Sequence, residues 1–185
     1  MRPSRDKIAR LVTACAIVVI VGCKPTAVPP IDDSIPLPTH VEGASDASII
    51  WLEKRLSRSG VRVISLGQNY LISIPSGLLF ESQSPQLTWA SYHLLNEVAC
   101  YLQQFRKVSL TINAFSSPYV SREREHALTL ARAKAVSKYL WSQNIDSRFI
   151  FTHGLGSDKP ISTFKFRGEG SPNSRVEITF RRVVA

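Results

Sequence analysis

The most regular hydrophobic pattern in the chain runs from Leu128 to Leu140. Leu128, Ala131, Ala135 and Tyr139 fall on one helical stripe, Val136 and Leu140 widen it, and strong helix formers fill the positions between. Arg132, Lys134 and Lys138 are expected largely off that stripe, and the helix start is placed as early as Arg122. A second long helix is predicted from Leu87 to Phe105, with Leu94, Leu95, Val98 and Leu102 on its apolar face, Trp89 and Tyr92 nearby, and Pro85 at its entrance. A shorter one follows Asp46 or Ser48 and stops at Gly60, with Trp51 assigned to the core.

Alternating positions mark the strands. Val61 to Ile64 and Tyr70 to Ile74 flank Gly67-Gln68-Asn69, a hairpin signal. Val108 to Phe115, Ile145 to Gly156 and Arg175 to Val183 supply three more, and Ser157 to Asn173 reads as a long surface loop. Strands alternating with two long helices, each needing to bury one face, predict an α/β (α+β) two-layer sandwich. Its mixed β-sheet would carry the two helices on one face.

Two blocks of residues carry a resemblance. Leu128, Thr129, Arg132, Ala133, Val136, Tyr139 and Leu140 stand at the spacing of the signature helix of OmpA-like peptidoglycan-binding domains. Asn173, Arg175, Val176, Glu177 and Ile178 match that family's closing motif. The resemblance covers roughly Val61 to Arg182 and implies β-α-β-α-β with a hairpin at the start. It also implies a site that grips the diaminopimelate side chain of peptidoglycan, with a guanidinium for the carboxylate and an acid for the ammonium. Arg132 takes the place of the cation, and a planar fork matches a carboxylate bidentately. Where the family has Thr-Asp after the strand, this chain has Ser116 and Ser117. A hydroxyl bonds an ammonium without neutralising it, which should weaken capture by roughly 1–3 kcal/mol, about tenfold to a hundredfold. Glu125, Glu81 or Glu123 is available to supply the missing carboxylate; equally, Glu123 and Glu125 suit a helix start for its dipole alone. Glu81 stands at the family's acidic loop position.

The amino terminus departs from the globular pattern. Arg2, Arg5, Lys7 and Arg10 precede an apolar run from Leu11 to Val21, the layout of a signal peptide at residues 1–22. Ile20-Val21-Gly22-Cys23 reads as a lipobox, with cleavage after Gly22 and lipidation of Cys23. Each buried methylene of an acyl chain contributes about 0.8 kcal/mol, so several chains anchor stably. Lys24 in place of an inner-membrane-retaining Asp favours the outer membrane, with the domain in the periplasm. Residues 23–44 contain Pro25, Pro29, Pro30, Pro36 and Pro38 and read as a tether. Partly in polyproline II, it would reach up to roughly 60 Å, ahead of a domain at 45–185.

The 185-residue chain has 23 basic and 14 acidic residues, a formal charge of +9. Loss of the signal leaves 19 basic against 13 acidic, a surplus of about six that suits an anionic partner such as wall or lipid headgroups. Export and the lack of a basic-aromatic recognition motif argue against nucleic acid. Cys100 alone of the three cysteines would remain unmodified, in a helical pattern expected to bury it. His40, His93, His126 and His153 show no metal spacing, Gly154-Leu155-Gly156-Ser157-Asp158 is no nucleophile elbow, and His126 near Ser116 or Ser117 lacks an indicated orienting acid. No enzyme activity, metal or cofactor is expected.

A short lipoprotein with this altered acid site also resembles the small OmpA-like lipoproteins of Dot/Icm (type IVB) secretion systems, the IcmN/DotK type. That resemblance implies a structural part of an outer-membrane core complex, with other secretion-system proteins as partners. Phe164, Lys165, Phe166 and Arg167 form an aromatic-basic loop patch suited to such a partner. The alternative is a free-standing peptidoglycan-associated lipoprotein that ties outer membrane to wall.

Overall fold

The structure, a computed structural model, describes residues 46–119, 121–145, 150–163, 168 and 170–183. The signal, Cys23, the tether and the Phe164–Arg167 patch fall outside them. Helix α1 (Asp46–Arg58) leads into a hairpin of β1 (Arg62–Leu66) and β2 (Asn69–Pro75). A short 3-10 turn (Ser76–Leu78) and a loop precede α2 (Trp89–Gln103). Then come β3 (Lys107–Phe115), α3 (Arg122–Ser142), β4 (Ile150–Gly154) and β5 (Arg175–Arg182).

The five strands form one mixed sheet in the order β1-β2-β5-β3-β4, in which only the β3–β4 pair is parallel. A parallel pair requires a crossover, and α3 supplies it. The period of two puts alternate residues of each strand on one face. Tyr70, Phe180, Leu110 and Ile150 form one row across four strands, and Ile72, Ile178, Ile112 and Thr152 form the next. Ile74, Val176, Ala114 and Gly154 form the third. These rows and the apolar faces of the helices make one core, including Leu56, Leu95, Val98, Leu102, Val136 and Leu140. Among the described residues nothing covers the opposite sheet face, and Ile64, Leu66 and Phe151 are exposed there.

Local signals account for the helix ends. Gly60, at φ +84°, occupies the left-handed region that stops α1. Thr88 accepts from the Ser91 amide to cap α2, and Ser121 accepts from the Arg124 amide to cap α3. Gly154 is required by packing. A Cβ there would lie 2.3 Å from the Leu130 amide nitrogen, so β4 and α3 approach too closely for any side chain.

Four expectations change. The strand expected from Ile145 is confined to Ile150–Gly154, with Ile145 buried ahead of it and residues 146–149 undescribed. Trp51 is 57% exposed, because α1 buries Ile49, Leu52 and Leu56 instead and leaves the indole under the Arg55 guanidinium. Cys100 is exposed, since α2 turns Val98, Ala99, Tyr101 and Leu102 inward. The buried stripe of α3 is Glu125, Thr129, Arg132, Ala133, Val136 and Leu140, which places Arg132 on it. A hydrophobic pattern cannot reveal this, because polar side chains enter the stripe on the strength of their hydrogen bonds.

Candidate functional site

The family motif on α3 builds two adjoining polar clusters. At the start of the helix, Glu125 is buried, with both oxygens engaged. Oε1 accepts from the Tyr119 amide at 2.7 Å and Oε2 from the Ser157 hydroxyl at 2.6 Å. A first-turn acid reaching back to an amide ahead of the helix acts as capping-box acids do, in the favourable end of the dipole. Thr129 donates to the Glu125 carbonyl at 2.8 Å and accepts from the Gly156 amide at 3.1 Å, pinning the turn after β4 to the helix.

The turn after β3 belongs to the same cluster. The Ser116 amide donates to the Gly156 carbonyl at 2.8 Å, while its buried hydroxyl has no partner among the described residues. Ser117 donates its amide to Ser174 Oγ at 3.1 Å and its hydroxyl to the Gly168 carbonyl at 3.1 Å. Ser116, Ser117, Glu125, Gln83 and Ser174 bound a cavity of ≈ 10 Å³, about the space one water molecule requires.

Arg132 lies two helical turns beyond Glu125, outside that cavity, and is 1% exposed. Its Nε donates to the Ser84 carbonyl at 2.9 Å and its Nη2 to the Glu81 carbonyl at 3.3 Å, and its guanidinium sits 5.0 Å from the centre of the Phe80 ring. The planar fork therefore holds the loop between β2 and α2, closed over it like a cover. Gln83, inside that loop, has φ 55°, a left-handed conformation rare for a residue with a side chain. Glu81 contributes its carbonyl here, while the residue itself is exposed.

Of the sequence candidates, Ser116, Ser117 and Glu125 thus come together, and Arg132 and Glu81 meet beside them through a backbone carbonyl. Glu123 is exposed on the first turn of α3. His126 donates Nδ1–H to the Gly154 carbonyl at 2.9 Å, and its Nε2 lies 3.1 Å from Asp158, an acid that the sequence did not place beside it. Ser157, Ser174 and Gly168 were also missed; they approach only through folding, and no local pattern marks them. The closing motif is a clamp. Asn173 Oδ1 accepts from the Ile161 and Ser162 amides, and Arg175 lies 3.8 Å over the Phe115 ring with its Nε 2.7 Å from Glu177. Among the described residues no group of acids, histidines and cysteines is placed to hold a metal, and no helix is long and apolar enough to cross a membrane.

A two-layer mixed α/β domain whose signature helix and closing strand converge on one polar corner defines the class. Residues 79–173, more than half of the chain, match the model of the OmpA family, and the chain belongs to that family. It is 29% identical over 128 residues to the probable lipoprotein YiaD of Escherichia coli (strain K12), covering 69% of this chain and 58% of YiaD. It is 33% identical over 101 residues to the peptidoglycan-binding protein ArfA of Mycobacterium tuberculosis (strain ATCC 25618 / H37Rv), covering 55% of this chain and 31% of ArfA. The chain thus spans less than two thirds of the length of either relative. The fold is shared with the cell wall anchor of the T6SS from Pseudomonas aeruginosa, at TM-score 0.64 and 22% identity over 72% of this chain and 96% of that one. It is shared also with the periplasmic domain of Helicobacter pylori MotB, at TM-score 0.59 and 24% identity over 68% and 81%.

Proposed function

We propose that the chain is an outer-membrane lipoprotein, anchored at Cys23, whose OmpA-like domain stands in the periplasm. The domain serves as a structural component of a type IVB (Dot/Icm) core complex, of the IcmN/DotK type, with weakened peptidoglycan binding. The lipobox, Lys24 and the proline-rich stretch support the anchoring, as does the likeness to a probable lipoprotein. Membership of the secretion complex rests on the resemblance of the sequence to that type. The candidate wall site comprises Arg132, Ser116, Ser117, Glu125 and Glu81.

The observation that carries the weakened binding is the closure of this corner. Arg132 already donates to two loop carbonyls, Glu125 already accepts two hydrogen bonds, and the cavity beside the serines has room for about one water. A diaminopimelate side chain would have to displace the Glu81–Ser84 loop and replace those bonds, so part of its binding free energy would be consumed by opening the site. Likeness to the peptidoglycan-binding ArfA favours the competing reading, a free-standing tether between outer membrane and wall.

Co-sedimentation of the full chain with purified sacculi separates the two. Weak retention, unchanged within about twofold in Arg132→Gln, is expected of a structural component. Strong retention abolished by Arg132→Gln, in a variant whose circular dichroism matches the parent, would establish the tether instead. Metabolic labelling with palmitate tests the anchor: Cys23→Ser should lose the label, and continued acylation would remove the lipobox from the account.

A further inference from the structure

We propose that the groove between the start of α2 and the end of α3 docks an acidic segment of a protein partner, anchored by an apolar side chain. The groove measures ≈ 530 Å³ and is lined by Pro85, Leu87, Tyr92, Ala135, Lys138 and Tyr139 among others. That volume accommodates one or two large side chains. The rings continue along its rim. Trp89, 92% exposed, lies 5.9 Å from Tyr92, which lies 5.5 Å from Tyr139. Tyr139 is held in place by donating to Asn96 Oδ1 at 2.6 Å, so this edge of the groove is built before anything binds. Exposed Trp and Tyr in a concave apolar setting are the composition of interface centres.

Charge selects the occupant. None of the residues lining the groove is acidic, and from His126 to the end of α3 every charged side chain is basic. The one acid of α2, Glu97, is buried against Arg55. Lys134, Lys138 and Trp141 follow one another at i, i+4 and i+7 on the exposed side of α3, giving a basic-aromatic stripe beside the groove. A second copy of the same face would set Lys134 and Lys138 against their own kind, which disfavours self-association. A bilayer presents a broad plane, whereas this lining forms a local depression of ≈ 530 Å³. A chain segment with an aliphatic or aromatic anchor and neighbouring carboxylates satisfies both the shape and the sign.

The test is selection of a displayed library of short random peptides on the full chain, followed by anisotropy titration of the recovered peptides. Acidic peptides with aromatic or aliphatic anchors should be recovered. Their affinity should fall at least about tenfold in Trp89→Ala and in Lys138→Glu, and stay unchanged in Phe151→Ala on the sheet face opposite the helices. Trp89, Lys138 and Phe151 are exposed, and matching thermal melts would establish that each variant folds. Failure to recover peptides, recovery of basic ones, or affinities indifferent to Trp89 and Lys138 would overturn the proposal. So would vesicles of phosphatidylglycerol that bind the chain only through these two residues, or a dimer in sedimentation that both variants dissolve.

Discussion

Glu125 illustrates how a residue legible in one role takes on a second through the fold. As an acid in the first turn of α3 it is expected from the helix dipole alone, and the sequence supports that reading. Its partners, the Tyr119 amide and the Ser157 hydroxyl, come from a turn and from a loop 32 positions away, and no local pattern announces them. Glu125→Ala takes the charged acceptor away from two part-buried donors, and is expected to lower stability by about 1–3 kcal/mol in urea denaturation, the range for hydrogen bonds to charged groups. Arg132 differs again: its family position was readable, its burial was not, because the carbonyls of Glu81 and Ser84 that satisfy it belong to a distant loop. Gly154→Ala is the sharper steric case. Its Cβ would meet α3 backbone, which cannot swing aside as a side chain would, so a loss of roughly 1–3 kcal/mol or more is expected in thermal denaturation.

Among the elements, α1 is tied to α2 by two polar attachments as well as by its apolar face. Arg55 Nε meets Glu97 Oε1 at 2.6 Å, and Tyr101 donates to Glu53 at 2.7 Å. Burial, then the hydrogen bond to Glu53 and its negative charge, raise the Tyr101 phenol far above its ordinary 10.0. The unfolded chain releases this proton near pH 10 while the folded chain keeps it. The contribution is therefore complete below about pH 10 and diminishes as pH rises beyond it. Burial also lowers the Lys107 ammonium, which works in the opposite sense up to its ordinary 10.5. Melting temperature measured from about pH 9 to 11 should decline more steeply in the parent than in Tyr101→Phe. Helical periodicity located α1 and α2, but assigned Trp51 and Cys100 to the wrong side. With apolar residues on several faces of one helix, only the neighbours decide which stripe is buried.

For the molecule as a whole, the surplus of basic residues acts at long range and without geometry. The proposed weak wall contact, if carried by this surplus, is screened by salt, since exposed charges lose most of their interaction beyond about 8 Å at physiological ionic strength. Retention on sacculi should accordingly fall several-fold between about 0.05 and 0.5 M salt, in parent and Arg132→Gln alike. Salt-independent retention would point to a closed, pocket-held ligand. The basic-aromatic groove is a different kind of feature, because it depends on α2 and α3 lying side by side.

Periodicity, turn residues and two spaced motifs in the sequence were enough to determine the kinds and order of the elements, the two-layer architecture and the family. These are local or repeated signals, read over one turn of helix or one pleat of strand. Tertiary structure alone decided that Arg132 lies inside, that Glu125 closes the corner with Ser157, and that Tyr92 and Tyr139 line one groove with Trp89 beside it. Each of those facts is a meeting of side chains or carbonyls tens of residues apart, whose hydrogen bonds and packing exist only after the chain has closed.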